Sequence, residues 1–173
     1  MIIKHITFIW FILFFFSIPS ESQSLEYSVK AIYLEKFARF TDWPDNISGE
    51  NFIIAVLGKS PFDGELEKLA KKTKIKNKPL KINYLNEISE LSNCQLLFIS
   101  SSEKDRLSEV LQKVEYQNIL TIADMPGACK KGVHINLYTD GSGTVHYEIN
   151  PEALKKAKLT VEMQLLSYGK IIN

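Results

Sequence analysis

Three short runs of consecutive apolar residues constrain this chain more than any other feature. Each is too short for a helix and too uniformly apolar for a strand with one wet face. Phe52-Ile53-Ile54-Ala55-Val56-Leu57 is closed by Gly58, Gln95-Leu96-Leu97-Phe98-Ile99 by serines, and Asn118-Ile119-Leu120-Thr121-Ile122-Ala123 by Asp124. Such runs read as strands covered on both faces. Helical patterns lie between them. Ser60-Pro61 offers an N-cap and a first-turn proline, with Asp63 in the first turn of a helix expected to reach about Ala70. Ser101 or Ser102 caps a second helix, whose stripe is Leu107, Val110, Leu111 and Val114. A weaker strand is expected around Leu80 to Tyr84. Strands alternating with helices predict right-handed crossovers and a parallel sheet.

The two ends of the chain add a helix and a hairpin. Leu25, Val29, Ile32, Tyr33, Leu34, Phe37 and Phe40 recur at helical spacing, so Leu25 to Thr41 reads as a helix, stopped by Trp43-Pro44. In the last third, Val133, Ile135 and Leu137 alternate with His134, Asn136 and Tyr138, and Val145, Tyr147 and Ile149 alternate with His146, Glu148 and Asn150. These are half-buried strands joined by the turn Asp140-Gly141-Ser142-Gly143. Asn150-Pro151-Glu152 starts a short helix, and a final amphipathic helix is expected over Leu159 to Ile172, with Met163, Leu166 and Ile171 near one stripe. The predicted architecture is α/β: a single three-layer domain over residues 23–173, with a mixed, mostly parallel sheet, an antiparallel C-terminal hairpin and helices on both faces.

The first 22 residues read as a separate, removable segment. Lys4 and His5 precede an apolar run from Ile6 to Pro19, shorter than the roughly 20 residues of a spanning helix. Ser20-Glu21-Ser22 places small residues for a cut before Gln23, the pattern of a secretory signal peptide. No cysteine follows the run, so lipid attachment is not indicated, and a periplasmic or extracellular chain is expected. Cytosolic ATP-driven or NAD-driven catalysis is correspondingly not expected. The leader takes away Lys4 and Glu21, so the rest carries 20 basic and 19 acidic side chains of the original 21 and 20. That balance gives no electrostatic case for nucleic acid or anionic lipid. The local run Lys71-Lys72-Lys74-Lys76-Lys78 reads as a solvated loop or an edge strand guarded by lysines.

Few residues carry a chemical signature. Gly58-Lys59-Ser60 fails as a phosphate loop, because Ile53 stands where the leading glycine belongs and Pro61 removes an amide from the helix start. His134, His146 and Glu148 fall on one polar face by alternation, a conceivable zinc set that is also ordinary hairpin surface. Cys94 and Cys129 form the one possible disulfide pair, but they start nearly a strand length apart, which favours two separate thiols with Cys94 buried. Asp124, Pro126 and Gly127 follow a buried strand at the carboxyl edge where open α/β sheets bind ligands, or simply turn the chain into the hairpin. Asn46-Ile47-Ser48 is formally a glycosylation acceptor.

Taken in order, these landmarks resemble the YfiR-like family of exported bacterial proteins. The match begins with Lys30-Ala31, Leu34, Phe37, Phe40 and Trp43-Pro44, then Val56-Leu57-Gly58 with Pro61-Phe62, and Cys94 through Ser100. Leu120-Thr121-Ile122-Ala123-Asp124 with Pro126-Gly127, Gly132 through Leu137, Val145 through Asn150 and the segment Leu159 to Leu166 complete it. The resemblance implies a non-enzymatic periplasmic repressor, without cofactor or metal, that binds the periplasmic sensor region of an inner-membrane diguanylate cyclase. An outer-membrane, peptidoglycan-associated partner draws such a repressor away, which raises cyclic-di-GMP and favours biofilm. Carried onto this chain, the family's partner contacts fall on Leu137, Glu148, Leu154 and Ile172. Of these, Leu137, Glu148 and Leu154 read equally as an exposed patch, as core or as solvated surface. Another membrane sensor or transport system is an alternative target. A small-ligand sensory module using the Asp124, Pro126 and Gly127 edge is the alternative function.

Overall fold

A computed structural model describes residues 21–44 and 49–172, with side chains from Ser24 onward. The leader expected over residues 1–22 falls outside the described side chains, and the Asn46-Ile47-Ser48 acceptor falls outside the described residues. The chain runs α1 (Glu21–Arg39), β1 (Thr41–Asp42), β2 (Phe52–Leu57), α2 (Glu65–Ala70), β3 (Lys74–Ile75), β4 (Lys78–Leu85), β5 (Leu96–Ile99), α3 (Leu107–Val114) and β6 (Leu120–Ala123). It continues with β7 (Ile135–Thr139), β8 (Val145–Ile149), α4 (Pro151–Lys156), β9 (Thr160–Val161), α5 (Met163–Tyr168) and β10 (Lys170–Ile171). Eight strands form one sheet in the order β10-β8-β7-β6-β5-β2-β4-β3. The run from β4 through β7 is parallel, β7 and β8 form the antiparallel hairpin, and β10 returns parallel to β8.

The three continuous apolar runs become β2, β5 and β6 at the centre of this sheet, which is why both of their faces are apolar. One face packs Ile54, Val56, Leu96, Phe98 and Ile122 against Leu34, Phe37 and Ala38 of α1. The other packs Ala55, Leu57, Leu97, Ile99 and Ala123 against Leu107, Val110 and Val114 of α3. The result is the expected mixed α/β sheet with helices on both faces.

Local details depart from the expectations where tertiary packing overrides pattern. Ser60-Pro61 does not open a helix: Phe62 first drives into the core, with ring centroids 4.8 Å from Phe98 and 5.6 Å from Tyr27. Asp63 and Gly64 then turn through positive φ before α2 begins at Glu65. The cap before the second crossover is Ser100, whose hydroxyl accepts from the Ser102 amide. The expected long C-terminal helix is cut to six residues. Its first part pairs instead with Thr41–Asp42, and its last part pairs with β8, so Met163 and Ile171 are exposed while Leu165 faces the core. On α1 the buried stripe is Ala31, Leu34, Phe37 and Ala38 together with Lys30, while Leu25 and Ile32 face outward.

Candidate functional site

A lysine in the apolar stripe of α1 requires a partner, and it finds one at the carboxyl edge of β6. The Lys30 side chain is 4% exposed and lies 3.3 Å from Asp124 Oδ2, whose side chain is 2% exposed. Tyr27, one turn earlier, donates its hydroxyl to the same oxygen at 2.7 Å. Glu26 completes the group, accepting from Lys30 at 2.6 Å and from the Thr139 hydroxyl at 2.8 Å. Five side chains thereby tie α1 to the sheet edge and the hairpin. Asp124 Oδ1 is buried with no hydrogen-bond partner among the described residues. Burial raises the Asp124 carboxyl above its ordinary range, against the opposing pull of Lys30 and Tyr27. Burial together with the Asp124 carboxylate pushes Tyr27 well above its usual value. Partial burial works to raise Glu26, but its bonds to Lys30 and Thr139 outweigh it and hold the group low.

This arrangement turns the Asp124 carboxylate inward. Of the residues read as a ligand edge, Asp124 is sealed beneath α1, Pro126 is exposed, and Gly127 sits at φ +75° in the turn. The turn is fastened from the far side, where the Asn136 side chain accepts from the Met125 amide at 3.0 Å. The neighbouring loops after β2 and β5 are zipped together. The Ser102 hydroxyl accepts from the Lys59 amide at 3.0 Å, and the Ser100 hydroxyl donates to the Lys59 carbonyl at 2.7 Å.

The residues read as partner contacts sit around the hairpin, but mostly beneath its surface. Leu137 pairs with Tyr147 on the face under α1 and is fully buried, Leu154 is the buried residue of α4, and Ile172 is buried with its amide bonded to the Ile149 carbonyl. Glu148 is half-buried and accepts from Lys170 at 3.0 Å. An exposed patch of Leu137 and Leu154 around Glu148 therefore does not form, because both leucines are needed to close the core at the sheet's last strands. The large apolar side chains that are exposed there are Met163 and Tyr168 of α5 and Ile171 of β10.

The conceivable zinc set is likewise dispersed. His134 is buried, its Nδ1 accepting from the Thr121 amide at 3.0 Å, whereas His146 reaches Asp140 at the hairpin tip at 2.8 Å and Glu148 is held by Lys170. Among the described residues no three histidine, cysteine or acidic side chains converge as a metal site. Cys94 and Cys129 are separate buried thiols, each pushed up to about 12 by burial. Alternation misplaced His134 because the turn ending at Gly132 and helix α4 fold over that end of the sheet.

Burial drives His134 down to about 4, with the Ala153 backbone opposing only weakly, so its imidazole is neutral in the fold. An unfolded chain takes up a proton at this residue below pH 6.5, while the folded chain does so only near pH 4. Stability therefore falls as pH drops through that window, by on the order of 3 kcal/mol for this group. Glu26, held low, works in the same direction, whereas Asp124, raised, works in the opposite one. Urea unfolding at a series of pH values is expected to show a flatter slope between pH 6.5 and 4 for His134→Gln than for the unaltered chain. Equal slopes would remove His134 from the acid response.

The family model described as DUF4154, YfiR/HmsC-like, matches residues 27–170. The chain belongs to the YfiR/HmsC-like family. It is a family of periplasmic regulators, and both Lys30 and Asp124 lie within the matched region. No curated protein matches the chain. Solved structures show the fold more widely. A conserved domain protein from Vibrio cholerae O1 biovar El Tor is similar with a TM-score of 0.57 at 10% identity, covering 83% of this chain and 60% of that one. An ABC domain from Streptococcus pneumoniae, solved in complex with L-Trp, is similar with a TM-score of 0.52 at 11% identity, covering 70% of this chain and 55% of that one. The chain thus matches little more than half the length of either structure, and at these identities the likeness is one of fold.

Proposed function

We propose that this protein is exported and binds, in the periplasm, the sensor region of an inner-membrane diguanylate cyclase, holding the cyclase inactive and lowering cyclic-di-GMP. The family match over residues 27–170 carries this reading. A repressor of this kind works by binding the inactive state of its target more tightly than the active one, since equal affinity for both shifts nothing. The contact surface assigned to it is the outer end of the sheet, where Met163, Tyr168 and Ile171 expose apolar side chains beside the Glu148 to Lys170 ion pair. Leu137, Leu154 and Ile172 act from beneath, fixing the hairpin and helices that carry this surface. An outer-membrane, peptidoglycan-associated protein competing for the same end would relieve repression.

Binding of the purified chain to the isolated periplasmic region of the cyclase tests the surface. The pair Met163→Glu and Tyr168→Glu is expected to weaken binding at least about tenfold, a loss of about 1.4 kcal/mol. Both side chains are mostly in water, so thermal stability should be retained. Unchanged affinity would take the contact away from this end of the sheet.

A further inference from the structure

A cavity of about 680 Å³ opens over the amino ends of β6 and β7, on the face of the sheet opposite α1. Leu111 and Val114 of α3 form one wall, and Ala153 of α4 with Ala157 just past its end form the other, with Thr121 and the buried, neutral His134 ring between them. Three ammonium groups surround this apolar trough: Lys130 and Lys131 from the turn before Gly132, and Lys156 from the last turn of α4. Among the described residues none of the three pairs with a carboxylate. The carboxylates at the cavity are Glu115 and Glu152, which leaves an excess of one positive charge.

We infer that this cavity binds a small organic monoanion with an apolar, ring-sized body. Its volume lies within the roughly 300–1,000 Å³ usual for small-molecule sites. Lysine stems extend the apolar wall while their ammonium heads remain in water, so body and charge of the ligand are met at different depths. A single negative charge balances the excess, whereas a cationic ligand end would be repelled by it. The site lies at the sheet edge opposite Asp124 and apart from the Met163, Tyr168 and Ile171 surface. It stands whether or not the protein represses a cyclase.

Titration of the purified full mature chain with anilinonaphthalene sulfonate, an aromatic monoanion that fluoresces in apolar surroundings, tests the site. Saturable one-to-one binding is expected. The pair Lys131→Gln and Lys156→Gln should weaken it at least about tenfold by removing charge, and Ala153→Trp should do the same by filling the trough. The two lysines are exposed, so the first variant keeps its fold even if the second does not. Lys71→Gln with Lys72→Gln, on the far side of the sheet, should bind as the unaltered chain does. Absence of saturable binding would overturn the inference, as would equal weakening by the Lys71 and Lys72 control. Equally tight binding of uncharged phenylnaphthylamine would overturn the monoanion assignment.

Discussion

Replacing Lys30 with methionine is expected to destabilise the protein by about 3–5 kcal/mol, far more than removal of a surface charge. Methionine retains most of the apolar stem that packs in the α1 stripe, so the loss isolates the ammonium group. Without it, the buried Asp124 carboxylate keeps, among the described residues, only the Tyr27 hydroxyl, and its second oxygen has no partner there. A buried carboxylate left in that state either stays charged at a large desolvation cost or takes up a proton. Joining Lys30→Met to Asp124→Asn should recover most of the loss, because the orphaned charge is removed. Glu26, more open to water, can hydrate. Urea unfolding of the two single variants and the double variant checks this. Additive losses, with no coupling between the positions, would mean that the pair does not form.

Truncation of Phe37 to alanine is the other large effect, with an expected cost of about 3–5 kcal/mol. Phe37 is fully buried, and its ring meets Tyr147 edge-on at a centroid distance of 5.0 Å and stacks with Tyr33 at 5.8 Å. The Tyr147 hydroxyl in turn donates to the Leu165 carbonyl at 2.9 Å, so the same aromatic cluster anchors α5 and the exposed surface it carries. Loss of the ring leaves a cavity bounded by sheet and helix, neither of which can collapse freely. Ile32→Ala, one helical position set away and 49% exposed, should change stability by less than about 0.5 kcal/mol. Urea midpoints separate the two. A small loss for Phe37, or a large one for Ile32, would show that α1 is rotated on the sheet.

That contrast also marks how far the sequence could be read. The continuous apolar runs of β2, β5 and β6 were legible because a strand buried on both faces has no reason to alternate. The hairpin was legible from Asp140-Gly141-Ser142-Gly143 and the alternation on either side of it. Apolar spacing on α1, however, placed Leu25 and Ile32 with Phe37. The informative residue was the polar one, since Tyr27, Lys30, Leu34 and Phe37 form the stripe that faces the sheet. A charged residue inside an apolar stripe announces a buried partner without naming it. Asp124 could be identified only once β6 ended beneath α1. Short-range pattern likewise gave no sign that Thr160–Val161 would leave the expected C-terminal helix to pair with Thr41–Asp42, because such pairing is a long-range contact. For the same reason Leu137 and Leu154 read as surface or core with equal ease, and only packing assigned them to the interior.

Cellular cyclic-di-GMP in a deletion strain tests the proposed repression most directly. The strain is complemented either by the full chain or by one lacking residues 1–22. Repression from the periplasmic side predicts a rise on deletion, reversed by the full chain and not by the leaderless one. Levels that stay unchanged on deletion, or that the leaderless chain restores equally well, would contradict it.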